Sequence, residues 1–211
     1  MENHKTLIFD FDGTIADTLE LALGVYNKKI VPRYNTKRAT REDLEYIRNQ
    51  KPSRKLLKEY NISLFQLPFI IRKGRIELKK EINKAKLQPG IEELLRKLED
   101  YPLGILSSNS EENIKSFLAR HKLLNVFRFF YCSSPLFRKD KIIKKILKER
   151  NLNPERVFYV GDEVRDIVSA NKAGIKTIAV TWGFNKREVL EKTKPDYLVE
   201  QCSDILEIIN S

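Results

Sequence analysis

Paired carboxylates are the groups in this chain best suited to chemistry. Asp10 and Asp12 stand two residues apart where the apolar run Leu7-Ile8-Phe9 passes into Gly13 and Thr14. Two acids so spaced at a strand's end can project toward one site, and Gly13 lets the backbone turn sharply there. A second pair lies in Val160-Gly161-Asp162-Glu163-Val164-Arg165-Asp166, where another apolar run gives way to a helical pattern. One helical turn separates Asp162 from Asp166, so both carboxylates can face the same point. Hard oxygen donors with no His or Cys beside them suit Mg²⁺, which takes a few carboxylates together with waters and a substrate phosphate. The competing roles are local: Asp12 and Asp17 as turn residues, and Asp162 as a helix N-cap. A calcium-binding EF-hand is a poor match, because the stretch around Asp10 lacks a third spaced ligand and a closing Glu.

Two further stretches offer groups that hold anions. Ile105-Leu106-Ser107-Ser108-Asn109-Ser110 is a strand running into hydroxyls and an amide, and a strand end followed by a helix presents backbone N–H groups as well. Ser107 and Ser108 are both open as the contacting hydroxyl, and Ser110 reads as the N-cap of the helix after it. Arg138-Lys139-Asp140-Lys141 opens another helical pattern. Lys139 sits at its start, while Lys141, Lys144, Lys145 and Lys148 fall further along an exposed face.

Positioning these groups requires strands that end at one edge. Residues 5–10, 103–107, 128–132, 156–161 and 176–180 read as short buried strands, with helical periodicity between them from residue 90 onward. Such alternation implies a parallel sheet with helices on both faces, with ligands outside the carboxyl ends of its strands. Residues 18–86 instead show helix-like runs at Leu19–Ile30, Arg41–Arg48, Arg54–Tyr60 and Leu67–Ile82, with no convincing strand. The expected fold is therefore α/β: a Rossmann-like core of residues 1–17 and 87–211, and a small all-helical insertion, residues 18–86, after the first strand.

Composition narrows the classes further. With 211 residues, 41% apolar and 33% charged, the chain can bury one substantial core plus an insertion. No apolar run reaches the roughly 18–20 residues of a membrane span, and the polar start leads straight into a strand, so a cytoplasmic location without a membrane partner is expected. Cys132, Cys202, His4 and His121 are isolated, which argues against a disulfide framework, a zinc site, or Cys/His and Ser/His catalysis. The formal charge of +11 is unevenly spread: residues 18–86 hold 18 basic and 7 acidic residues, whereas the remainder holds 22 of each. A basic segment beside a neutral one points to an anionic partner.

Taken in order, DxDGT at Asp10, the Ser at a strand end, the Lys at a helix start and GDxxxD at Asp162 make the sequence resemble the haloacid dehalogenase superfamily of phosphohydrolases over nearly its whole length. The resemblance is to the phosphoglycolate phosphatase-like branch, in which a helical cap occupies the place of residues 18–86. It implies that Asp10 is the nucleophile and forms an aspartyl-phosphate, and that Asp12 is the general acid and base. It further implies that Asp10, the Asp12 carbonyl and Asp162 hold Mg²⁺, and that Asp166 orients that shell or Lys139. Ser107, with Ser108 and Asn109 beside it, and Lys139 would hold the phosphoryl oxygens. The family often has Pro after the Lys, and Asp140 in that place leaves Lys141 as the alternative. A cap closing over the site would hinge at Asp17-Thr18 and at Lys86 to Pro89, with Tyr26, Arg33 and Arg72 as candidate substrate contacts. Trp182-Gly183-Phe184-Asn185 is either a rim loop or a packed corner. The expected substrate is a small phosphorylated metabolite. A phosphomutase would use the same aspartyl-phosphate, and a nucleic-acid or other polyanion-binding protein would use the basic insertion.

Overall fold

The computed structural model describes residues 4–43, 54–132 and 139–211. The chain divides into two compact units, Met1–Asp17 with Lys86–Ser211, and Thr18–Ala85.

The larger unit begins with β1 (Thr6–Phe9), every residue of which is buried, and β2 (Ala16–Asp17). The smaller unit then holds α1 (Leu19–Val25), a five-residue π turn (Tyr26–Ile30), α2 (Val31–Tyr34), α3 (Arg54–Glu59) and α4 (Leu67–Glu81). The single helical run expected over Leu19–Ile30 is thus interrupted by the π turn and carried on by α2, which has Pro32 in its first turn, where a missing N–H costs nothing. Of the run expected at Arg41–Arg48, residues 41–43 are helical and the rest lies outside the described residues.

The chain returns to the larger unit with β3 (Lys86–Leu87), α5 (Ile91–Lys97), β4 (Leu103–Leu106), α6 (Glu111–Arg120) and β5 (Phe127–Tyr131). It continues through α7 (Lys139–Glu149), β6 (Val157–Gly161), α8 (Val164–Ala173) and β7 (Lys176–Val180). It closes with α9 (Arg187–Glu191), β8 (Tyr197–Val199) and α10 (Cys202–Asn210). Six strands form one sheet in the order β5-β4-β1-β6-β7-β8, and every pairing is parallel. Ile8, Leu106 and Tyr159 pack with Ile143 and Ile146 of α7 and Ala170 of α8. The intervening Leu7 and Phe9 are equally buried, so both faces of β1 are covered, as a parallel sheet requires.

Two details differ from expectation. β2 and β3 pair antiparallel, Ala16 with Leu87 and Asp17 with Lys86. Lys86 is therefore a strand residue of the larger unit, and the helical segment ends at Ala85. Two-residue strands carry too little periodicity to be seen in a sequence. Ser110 does precede α6, but its side chain accepts no capping bond; the Ser110 N–H instead donates to Asn109 Oδ1 at 2.8 Å.

Candidate active site

The sheet order sets β1 between β4 and β6, with Phe9 level with both Ile105 and Val160. Asp10, Ser107 and Asp162 consequently emerge side by side at the carboxyl edge. Asp10 is anchored twice: its N–H donates to the Val160 carbonyl at 2.8 Å, and its Oδ1 accepts the Phe11 N–H at 2.8 Å. Its Oδ2 lies 3.0 Å from Lys139 Nζ.

Lys139, the first residue of α7, is almost wholly buried. Its Nζ also meets Asp166 Oδ1 at 2.7 Å and donates to the Tyr159 hydroxyl at 3.0 Å, and that hydroxyl donates to the Leu106 carbonyl at 3.1 Å. Three donors therefore find three acceptors. Lys141, the alternative considered from the sequence, is exposed. Asp166 completes its own bonding by accepting the Glu163 N–H on Oδ2 at 3.2 Å. That N–H opens the first turn of α8, so the helix start and the Lys139 contact are fixed by one carboxylate.

Asp162 is clamped from two sides and does not cap α8. Its Oδ1 accepts from Thr14 Oγ1 and its Oδ2 accepts from the Phe184 N–H, both at 2.6 Å. The Asn185 N–H reaches the Asp162 carbonyl at 3.1 Å, while Asn185 Oδ1 accepts the Val164 N–H at 2.9 Å. Trp182 Nε1 donates to the Thr14 carbonyl at 3.1 Å, which joins the loop after β7 to the turn after β1. The segment 182–185 is thus built into the site. Gly183 is required there, because a Cβ would fall 2.2 Å from Asp162 Cβ; Gly13, at φ +84°, would bring one within 2.3 Å of Asp162 Oδ2.

Asp12 stands apart from this cluster. Its half-buried carboxylate accepts from Asn109 Nδ2 at 3.2 and 3.4 Å. Asn109 is held in turn by its N–H, which donates to the buried Ser107 Oγ at 3.1 Å. Ser108 is half-buried beside them. The structure therefore joins Asp12, Asn109 and Ser107 in one chain of hydrogen bonds and Asp10, Lys139, Asp162 and Asp166 in a second cluster.

The electrostatics follow from burial. Asp10, Asp162 and Asp166 each bring an oxygen within 4.8 Å of the others, and all three are buried. Burial pushes the Asp10 carboxyl well above its usual range, against the pull of Lys139. Asp162 is raised to about 8 by burial first and then by Glu163 and Asp166, while Phe184 and Thr14 act against the rise. Burial acts to deprotonate Lys139, but Asp10 and Asp166 outweigh it, and the ammonium is held well above its ordinary value. Three buried carboxyls around one ammonium resist ionising together, and an all-oxygen donor set of this kind fits a hard divalent cation, whose charge would favour their ionised forms. Glu163, which ion-pairs with Arg165, is likewise raised by burial.

Thr14 and Tyr159 carry this arrangement with no role legible in the sequence, while Phe184 and Asn185 lie in the segment readable as a rim loop or a packed corner and contact Asp162. Tyr159 lies in an apolar strand and reads as core, and its hydroxyl partner becomes visible only once α7 is packed. Thr14 belongs to the DxDGT stretch, in which the acids alone suggest chemistry, and Phe184 acts through its backbone, which no residue type discloses.

The model of the haloacid dehalogenase-like hydrolases matches residues 7–180. The chain belongs to that family. It is 33% identical over 207 residues to a phosphoglycolate phosphatase of Synechococcus elongatus, covering 97% of each chain. It is 26% identical over 214 residues to the pyrophosphatase PpaX of Bacillus mycoides, covering 98% of this chain and 97% of the relative. Among solved structures, a haloacid dehalogenase-like hydrolase from Streptococcus pneumoniae superposes with a TM-score of 0.81 at 25% identity, covering 99% of both chains. With these relatives and this family, the protein is an enzyme of the phosphatase type.

Proposed function

We propose that the protein is a Mg²⁺-dependent phosphatase that hydrolyses a small phosphorylated metabolite through an aspartyl-phosphate on Asp10. The observation that carries this reading is Lys139 Nζ bridging Asp10 and Asp166 at the carboxyl edge of the sheet, with Asp162 beside them. Asp10 Oδ attacks phosphorus as the bond to the leaving oxygen breaks, and Asp12 supplies a proton to that oxygen. Water then attacks the same phosphorus, Asp12 takes its proton, and the bond to Asp10 breaks to release phosphate. Lys139 compensates the charge of the nucleophile and of the phosphoryl oxygens, while Ser107 and the nearby backbone N–H groups position those oxygens. Asn109 orients Asp12 through the contact described above. Asp10, the Asp12 carbonyl and Asp162 would hold Mg²⁺, which when bound lessens the repulsion between an anionic nucleophile and an anionic phosphate. Asp166 serves by fixing Lys139.

The segment 18–85 takes the part of a cap that sets substrate choice, and the cytoplasmic location expected from the sequence belongs to the same proposal. Phosphoglycolate is the first substrate to test, because the Synechococcus relative that bears its name matches along nearly the whole chain. The deciding experiment measures phosphate release from phosphoglycolate, pyrophosphate and a panel of sugar phosphates, with Mg²⁺ and with chelator, by wild type and Asp10→Asn. Turnover is expected to need both the metal and Asp10. Full turnover by the Asn variant would refute the nucleophile, and transfer of phosphate to a sugar hydroxyl instead of water would assign a mutase.

A further inference from the structure

The helical unit holds the surplus positive charge of the chain and most of its exposed apolar bulk. Six large hydrophobic side chains are markedly exposed among the described residues, and five of them, Leu64, Phe65, Phe69, Ile71 and Ile76, fall within one stretch of thirteen residues. Phe65 is 88% exposed and Phe69 62%. Phe65, Phe69 and Ile76 fall at helical spacing, and exposed apolar side chains gathered on one face mark a contact surface more often than scattered ones do.

α4 is two-sided. Leu67, Ile70, Ile71, Gly74 and Leu78 line an apolar cavity of about 400 Å³ within the unit, so the exposed Ile71 belongs to this side of the helix. The opposite face carries Phe69 and Ile76, seven residues apart, with Phe65 one turn before Phe69 in the leading turn. Helical spacing sets Arg72 and Lys79 along one side of this ridge and Lys73 and Lys80 along the other. Both acids of α4 already hold lysines: Glu77 meets Lys73 at 2.7 Å and Lys80 at 3.0 Å, and Glu81 meets Lys84 at 2.5 Å. Five basic against two acidic residues give the helix a net positive charge.

We propose that this face of α4 docks the protein on an anionic lipid surface, with Phe65, Phe69 and Ile76 entering the acyl boundary and the flanking cations meeting lipid phosphates. The pattern is that of a helix lying in a membrane interface, apolar along one line and basic beside it. Three features favour this occupant. A single-helix ridge is convex, whereas a nucleic-acid strand needs a groove. Ile76 and Leu64 are aliphatic and offer no stacking face to a base. A second copy of the chain would bring like charges together across the contact. The contact is superficial: no helix among the described residues is long and apolar enough to cross a membrane.

The test is co-sedimentation of the full chain with phosphatidylcholine vesicles, with and without phosphatidylglycerol, at low and moderate salt. Binding to the anionic vesicles is expected, weakened by salt and about tenfold weaker in Phe65→Ser/Phe69→Ser. Both positions are exposed, so the double variant should keep its fold, which circular dichroism melts would establish. Absence of binding to anionic vesicles at low salt, equal binding to neutral vesicles, or equal binding by the double variant would each overturn the proposal. Self-association without vesicle binding, lost in the double variant, would assign the ridge to a second copy. Retention on single-stranded RNA without vesicle binding would assign it to a nucleic acid, and either result would also overturn the proposal.

Discussion

Gly183→Ala adds one methyl group at the point where the loop after β7 crosses Asp162. That methyl would stand 2.2 Å from Asp162 Cβ and 2.3 Å from its Cγ and Oδ2. An unstrained carbon contact needs about 3.5–4.0 Å, so loop and carboxylate must part by roughly 1.5 Å. They are tied together by the Phe184 and Asn185 N–H groups at 2.6 and 3.1 Å, and a separation of that size breaks at least the first bond. Overpacking costs about 1–3 kcal/mol and a lost bond to a charged group about 1.5–3 kcal/mol; since both relax together, about 2–4 kcal/mol is expected. In a chain of this size that lowers Tm by roughly 5–15 °C. Displacement of Asp162 by about 1 Å should reduce turnover on the order of 10²-fold and raise the Mg²⁺ concentration needed for half-maximal rate. Calorimetry and a Mg²⁺ titration of phosphate release measure both effects. Gly24→Ala is the control, because nothing lies within 4 Å of its Cβ position and a helical Gly-to-Ala change is neutral to stabilising. A Gly183→Ala enzyme with unchanged Tm, turnover and Mg²⁺ dependence would refute the clamp.

Lys139→Met removes the one ammonium from a buried group of carboxylates. Breaking a buried pair from one side costs about 3–5 kcal/mol, to be read from urea unfolding, and turnover should fall by about 10²-fold or more; a variant of wild-type stability would show that the pair is not structural. Glu77 is held down to about 2 by its bonds to Lys73 and Lys80. A depressed carboxyl stabilises the fold above its ordinary value near 4.5 and loses that contribution as pH falls toward 2. The stability difference between wild type and Glu77→Gln should therefore be constant above about pH 5 and shrink below it; a difference that grew on acidification would refute the pairing.

The central strands were legible because burial on both faces demands unbroken apolar runs, as in Leu7-Ile8-Phe9 and Val157-Phe158-Tyr159-Val160. Asp10 and Asp162 were legible for the complementary reason, since a charged residue that ends such a run must be paid for by a partner or a ligand. Lys139 could be chosen over Lys141 only by its place at the helix start, and its burial supplies the physical distinction. The support around Asp162 was hidden: Thr14 and Phe184 reach it from 148 and 22 residues away, one of them through its backbone. β8, with only three residues, and the paired β2 and β3 were too short to show a period. The exposed ridge of α4 escaped because Phe65, Phe69 and Ile76 at helical spacing look the same in sequence whether they face a core or the outside.

The position of β1 in the middle of the sheet also governs when the protein can begin to work. β1 is the first strand of the chain, yet its neighbours are β4 and β6, and the pairing of Phe9 with Val160 spans roughly 150 residues. At about 5–20 residues per second, a ribosome needs roughly 8–30 s after making β1 to supply the strand that bears Asp162. β4 and Lys139 are made part-way through that interval, but until it ends Leu7, Ile8 and Phe9 lack the β6 side of their pairing and Asp10 lacks Asp162. Recovery of activity during refolding should accordingly follow recovery of helical signal.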